Sequence, residues 1–309
     1  MTVTLDILSE PVNPPSAGAR PERFTLERPG IHWAGIKIGL NPDTTCLDLL
    51  LLHGTAGSSH CWQPVIEALD APMAILAPDL PGHGDSRCER HGRHGLDEMA
   101  RDIAELLTAL GLRRVRLIAG HSAGAAVALA LALADRPSHA GTPPVEIDQI
   151  LGIAPSLVPP PLLYTLLLGP ALAPMVASTP SVLTATMLTR RTGLTDRLLD
   201  STGSTIADVQ REGYRRLLGE PRHLRGAIDF MAATDLPGLL RRLPRLSVPA
   251  RFLIAPDDRW ISARRLDEEL ARWLPQAGVE RCPGGHLLPE SQPRQTARLI
   301  QEMIEATRP

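Results

Sequence analysis

Between Cys46 and Pro155 the chain keeps returning to one pattern, a short continuous apolar run closed by glycine or proline and then a longer segment of helical spacing. The apolar runs are CLDLLLLHG, MAILAPDLPGHGDS, VRLIAG and VEIDQILGIAP. A run that is apolar at every position suits a strand covered on both faces, because a strand with one wet face alternates. Among the helical segments, Leu96, Met99, Ile103, Leu106, Leu107 and Leu110 share one face, and Gly111 stands where a helix commonly ends. The segment from Ala123 to Ala134 is apolar on all sides, which predicts a helix buried between layers. About four alternations of this kind predict an α/β fold, a mostly parallel central sheet flanked by helices.

Two further strands, RFTLER and IHWAGIKIG around Pro29-Gly30, are expected before this unit, and CWQPVIEAL is expected as a short helix within it. The rhythm breaks at Ser156. From there to Asp235 no buried-strand run occurs, and segments such as REGYRRLL and HLRGAIDFMAA read as helices. The sheet resumes at PARFLIAPDD, followed by a helix in LDEELARWL, a last strand in GVERCPGGH and a closing helix in RQTARLIQEMIEA. Residues 1–155 and 236–309 are therefore expected to form the core, and 156–235 a mainly helical lid inserted before the strand that ends in APDD.

Composition narrows the class of partner. A net charge of −2, with 43% hydrophobic and 21% charged residues, gives no electrostatic reason to expect nucleic acid. The apolar stretch from Ile150 to Ala177 is cut by Pro155, Pro159, Pro160, Pro161, Pro170 and Pro174, so no transmembrane segment is expected. The N-terminus lacks the basic start and apolar centre of a signal peptide and reads as a loose lead-in. Cys46, Cys61, Cys88 and Cys282 have no paired spacing, as expected for reduced thiols of a cytoplasmic protein. Cys88, His91 and His94 in CERHGRHG invite a metal reading, but no second ligand pair follows, and a solvated loop is expected. Neither a metal nor a cofactor is expected.

The chemistry centres on GHSAG, in which Gly120, Ser122 and Gly124 satisfy G-x-S-x-G. That pattern recurs by chance; its place between an expected strand and an expected helix makes Ser122 a candidate nucleophile on a tight turn. Such a serine needs a base. His53 follows a strand directly and reads as a loop-shaping residue, and the side chain of His121 should point away from its neighbour Ser122. His286, in the glycine-bearing loop of CPGGHLLPE, is the expected base. The orienting acid should come from the end of the strand before it, where Asp257 and Asp258 both stand. Backbone N–H groups of Ala123 and of Thr55, with Ala56 as the alternative to Thr55, would stabilise an oxyanion. Asp79 and His83 of PDLPGHGDS are expected to form the turn after their strand rather than the pocket.

The succession HGTAGSSHCW, PDLPGHGDS, GHSAG, APDD and GGH resembles the α/β-hydrolase superfamily over nearly the whole chain. The resemblance implies the α/β-hydrolase fold, a triad in the order Ser, Asp, His, and an acid three residues after the small residue ending its strand. With Ala255 as that residue, Asp258 is favoured over Asp257. The elbow carries serine rather than the aspartate with which dehalogenases and epoxide hydrolases react, which points to an ester or related acyl bond. Within the superfamily, LLLLHGTAGSSHCW, APDLPGHG, AGHSAGAAVALALA, STGS and GYRRLLGEPRHLRGAIDFMAATDLPGLLRRLP resemble the magnesium-chelatase accessory proteins of bacteriochlorophyll biosynthesis. The apolar, proline-bent lid suggests a hydrophobic substrate, taken from a membrane periphery or a tetrapyrrole carrier by a cytoplasmic protein, and the likeness implies a role in inserting magnesium into a tetrapyrrole, with magnesium chelatase as a partner. It leaves two readings, a serine hydrolase or a non-catalytic scaffold that holds a porphyrin or assists the chelatase.

Overall fold

The computed structural model describes residues 20–89, 94–134, 145–158 and 178–307. The first strands are β1 (Glu22–Arg28), β2 (Ile31–Ile38), β3 (Cys46–Leu52), β4 (Ile75–Pro78) and the two-residue β5 (Arg87–Cys88). They are followed by β6 (Arg114–His121), β7 (Glu146–Ile153), β8 (Ala250–Ile254) and β9 (Gly278–Arg281). All join one sheet in the order β1-β2-β4-β3-β6-β7-β8-β9, with β5 paired to β2. Pairing is parallel from β4 to β9 and antiparallel where β2 meets β1, β4 and β5. The mostly parallel sheet expected from the apolar runs is present.

The pleat sorts those runs into two cores. Leu50 and Leu52 of β3, Ile118 of β6 and Phe252 of β8 face one core, while Leu49, Leu51, Leu117 and Leu253 face the other. Helices α2 (Leu96–Ala109) and α3 (Ala123–Leu133) cover the first face, together with α9 (Ala263–Trp273), whose Leu266 and Leu270 join that core. The second face is covered by the short α1 (Gln63–Glu67), which follows a 3-10 turn at Ser59–Trp62, and by α10 (Pro293–Glu305). Helix α3 is buried along almost its whole length, as its sequence requires.

Between β7 and β8 the described residues form helices and no strand. These are α4 (Thr179–Thr192), α5 (Leu194–Ser201), α6 (Asp208–Leu218), α7 (Pro221–Ala233) and α8 (Leu236–Arg242). Much of the apolar, proline-cut stretch and the N-terminal lead-in lie outside the described residues. Among those described, no helix is long and apolar enough to cross a membrane.

Helix α7 of the insert meets the core backbone to backbone at Gly226. A Cβ on Gly226 of α7 would stand 2.2 Å from the carbonyl oxygen of Gly82, in the loop after β4. Helix propensity alone favours alanine over glycine within a helix by about 1 kcal/mol. Gly226→Ala should nevertheless lower the midpoint of thermal unfolding, because α7 must lift from Gly82. A raised midpoint would show that the contact yields without cost.

Candidate active site

Strand β6 ends at His121 and α3 begins at Ala123, which leaves one residue, Ser122, to make the turn. Its backbone sits at φ 52° and ψ −118°, a conformation rare for any residue with a side chain. Three hydrogen bonds hold it there. Ser122 N–H donates to Ile153 O at 2.9 Å, and Ser122 O accepts from Ala125 N at 3.1 Å and from Ser156 N at 3.1 Å. The flanking glycines are a packing requirement. A Cβ on Gly124 would lie 2.2 Å from Leu52 O, and one on Gly120 would lie 2.5 Å from both Gly124 O and Ala125 N.

The turn aims the Ser122 hydroxyl at His286, on the loop after β9. Oγ lies 2.8 Å from His286 Nε2, and His286 Nδ1 lies 2.7 Å from Asp258 Oδ2. With the carboxylate accepting at Nδ1–H, Nε2 is left to accept from the hydroxyl. The other carboxylate oxygen of Asp258 accepts from the N–H groups of Trp260 at 2.7 Å and Ile261 at 2.8 Å, so the acid is fixed at both ends. The His286 and Asp258 side chains are only 4% and 2% exposed. Asp257 is exposed and makes no bond to His286 among the described residues.

Further groups hold His286 in place. His121 donates from Nε2–H to the His286 carbonyl at 2.8 Å, the indole of Trp260 stacks on the His286 ring at 5.5 Å, and His286 N–H donates to Thr202 O at 3.1 Å. Burial, reinforced by His286, lowers the His121 pKa to about 3 and keeps that imidazole neutral. The next residue is held as well, with Leu287 N–H donating to Ser204 Oγ at 2.8 Å. Thr202 and Ser204 belong to the STGS turn of the insert, which therefore packs against the loop that carries His286. Ser156, beyond β7, brings its hydroxyl 3.4 Å from that of Ser122.

The loop after β3 supplies the oxyanion candidates. His53 donates from Nδ1–H to Gly54 O at 2.8 Å, its Nε2 accepts from Leu80 N at 2.9 Å, and Gly57 N–H also donates to Gly54 O, at 3.1 Å. In a trans peptide the N–H points opposite the carbonyl, so a Gly54 carbonyl held this way turns the Thr55 N–H in the other direction. Thr55 and Ala56 both line the cavity beside Ser122, while Ala123 opens α3 directly after Ser122 and has its N–H in the first helical turn. Asp79 does not enter the cavity. Its carboxylate accepts from Ser59 N at 2.7 Å and Asp85 N at 2.8 Å, and burial raises its pKa. His83 is likewise buried, with Nδ1–H donating to Pro81 O at 3.2 Å.

The cavity beside Ser122 takes one wall from each half of the molecule. His121, Ser122, Trp260 and His286 come from the core, and Leu198, Leu199, Tyr214 and Leu218 from the insert. The metal reading of the CERHGRHG segment gains nothing here. His91 lies outside the described residues, and among those described no three His, Cys, Asp or Glu side chains are grouped to hold an ion. His94 differs from the expected solvated loop. Burial opposes its charge, but the 2.6 Å hydrogen bond to buried Asp102 and a contact to Cys88 lift its pKa to about 9.

Tyr214 of α6 donates to Glu290 Oε1 at 2.5 Å, a buried contact between insert and core that the sequence does not announce. Burial raises the Glu290 carboxyl from 4.5 to about 7, although the bond from Tyr214 pulls the other way. A carboxyl raised in the folded state favours folding fully below its unfolded pKa, and that advantage is lost as pH rises toward and through 7. The buried histidines push stability in the opposite sense over part of this window, so the difference between wild type and Glu290→Gln isolates the acid. Urea unfolding from pH 5 to 8 should find the variant gaining on wild type as pH rises, by on the order of 3 kcal/mol across the full titration. A difference that does not change with pH would remove Glu290 from this role.

With that geometry in place, comparison with known proteins adds a lineage. The 30 kDa magnesium-chelatase subunit of Rhodobacter capsulatus is 34% identical over 257 residues, covering 83% of this chain and 86% of the relative. A soluble epoxide hydrolase of Corynebacterium sp. (strain C12) is 28% identical over 80% of this chain and 86% of the relative. Among solved structures, a thermophilic esterase from Thermogutta terrifontis superposes with a TM-score of 0.65 at 23% identity, over 93% of this chain and 99% of the other, a likeness of fold alone. The model of the alpha/beta hydrolase family matches residues 49–299, from the third strand of the sheet into the closing helix, and the chain belongs to that family.

Proposed function

We propose that this protein is a cytoplasmic serine hydrolase that cleaves an ester or related acyl bond of a hydrophobic substrate. The observation that carries the reading is the pair of hydrogen bonds, 2.7 and 2.8 Å, that runs from Asp258 through His286 to a serine on a strained turn. Ser122, His286 and Asp258 are the proposed catalytic residues, and the N–H groups of Thr55 and Ala123 the proposed oxyanion hole. Ser122 Oγ attacks the acyl carbon as its proton passes to His286 Nε2, and the negative charge on the carbonyl oxygen meets the two N–H groups. His286 then returns the proton to the leaving group, which departs and leaves an acyl-enzyme. Water repeats the sequence and releases the acid, with Asp258 holding the imidazole in the required tautomer throughout. No cofactor enters this scheme. Leu198, Leu199, Leu218, Leu287 and Trp260 around Ser122 support an apolar substrate, and residues 156–235 act as the lid over it.

The setting proposed for this chemistry is magnesium chelation in bacteriochlorophyll synthesis, with a tetrapyrrole as substrate and magnesium chelatase as partner. Its support is the name of the Rhodobacter capsulatus relative. The same name supports a second reading, a scaffold on which the chain assists the chelatase without using Ser122.

A fluorophosphonate probe, which phosphonylates activated serines, separates the two. Wild type should be labelled and Ser122→Ala should not. Hydrolysis of an aryl ester with an apolar acyl chain should fall about 10³–10⁴-fold in Asp258→Asn and stay near wild type in Asp257→Asn. Wild-type protein that resists the probe, or a Ser122→Ala chain that fully restores pigment synthesis in a strain lacking the protein, would favour the scaffold.

A further inference from the structure

Ala56, next to the proposed oxyanion donor Thr55, has a backbone φ of 61°, a left-handed conformation unfavourable for a residue with a side chain. Something must hold it. Within the loop, Gly57 N–H donates back to Gly54 O, and the other tie comes from the insert, where the Nε2–H of His223 on α7 donates to Ala56 O at 3.1 Å. The opposite nitrogen, Nδ1, accepts from Gly84 N at 2.9 Å. One imidazole thus joins three segments, the insert, the loop after β3 and the loop after β4. His223 is 1% exposed, its ring lies edge-on to His83 at 5.4 Å, and burial lowers its pKa to about 4. It is therefore neutral near pH 7, with one nitrogen able to donate and the other to accept, as both bonds require. Three residues further on, Gly226 rests directly on the Gly82 backbone, so the helix that carries His223 is seated closely on the same loop after β4.

We propose that His223 is a positioning residue for the oxyanion loop: by fixing the Ala56 carbonyl it holds the peptide planes of residues 54–57, and with them the aim of the Thr55 N–H. His53 pins the front of this short loop from the core and His223 pins its back from the insert. The seating of the insert then decides whether the loop is shaped for acyl transfer. This inference rests on the hydrolase reading for its catalytic consequence but not for its structural one.

The test compares His223→Leu, which removes both bonds, with His223→Gln, whose amide can donate and accept. Two readouts are taken well below each variant's unfolding temperature, the rate of fluorophosphonate labelling at Ser122 and the deuterium exchange of a peptide spanning residues 54–57. The leucine variant should label about ten- to a hundredfold more slowly, the scale expected when one oxyanion donor is misplaced but not removed. It should also exchange faster at 54–57 while strands β6 and β7 stay protected, and the glutamine variant should recover both readouts to within about threefold. Unchanged labelling and exchange in the leucine variant would overturn the proposal. If that variant loses protection throughout the chain, the glutamine variant decides, and its failure to restore either readout counts equally against it. Should wild type resist the probe, the hydrolase reading fails, and the exchange at 54–57 still decides whether His223 holds the loop.

Discussion

The site depends on how closely α3 approaches the end of β3. Only glycine at 124 lets the helix begin against the Leu52 carbonyl, and only a helix that begins there forces the turn onto the single residue Ser122. The strain of that residue, on the order of 1–3 kcal/mol, is offset by bonds to Ile153, Ala125 and Ser156 from the elements around it. Burial of the apolar strands thus does more than stabilise the sheet. It supplies the rigid edge against which an unfavourable backbone conformation persists.

Much of this was legible in the residues. Runs such as LDLLLL and VRLIAG could hardly be anything but strands covered on both sides, and their alternation with helices left little choice of topology. The strand ends marked by HG, GHSAG, APDD and GGH stand together because a parallel sheet gathers its carboxyl ends on one edge. Periodicity could not distinguish Asp257 from Asp258, since neighbours on a turn differ only in where the backbone points them. Coordinates place Asp258 against His286 and Asp257 in solvent.

What the sequence concealed are contacts between residues far apart in order. His121 reads as an idle neighbour of Ser122, yet it holds the carbonyl of His286, 165 residues away. Tyr214 lies in an unremarkable helical stretch and Glu290 at the end of the CPGGHLLPE segment, and nothing about either residue alone foretells a buried bond between them. His223 is one histidine in a basic segment, and its bond to Ala56 spans 167 positions. Such pairings arise from how distant segments settle on one another, within the core for His121 and between insert and core for the other two, and neither hydropathy nor spacing encodes that. His94, expected in solvent and found bound to a buried aspartate, shows the same blindness on a smaller scale.

The STGS turn has a consequence for how this family can diversify. Because Thr202 and Ser204 bond directly to the segment bearing His286, the insert is not an interchangeable module set on a finished core. A chimera that exchanged this region for that of another family member would discard part of the framework around its own His286, however well the new helices packed. Recombination between such proteins should preserve the contact turns as a block, leaving the outward faces of α4 and α5 as the ground on which sequences are free to drift.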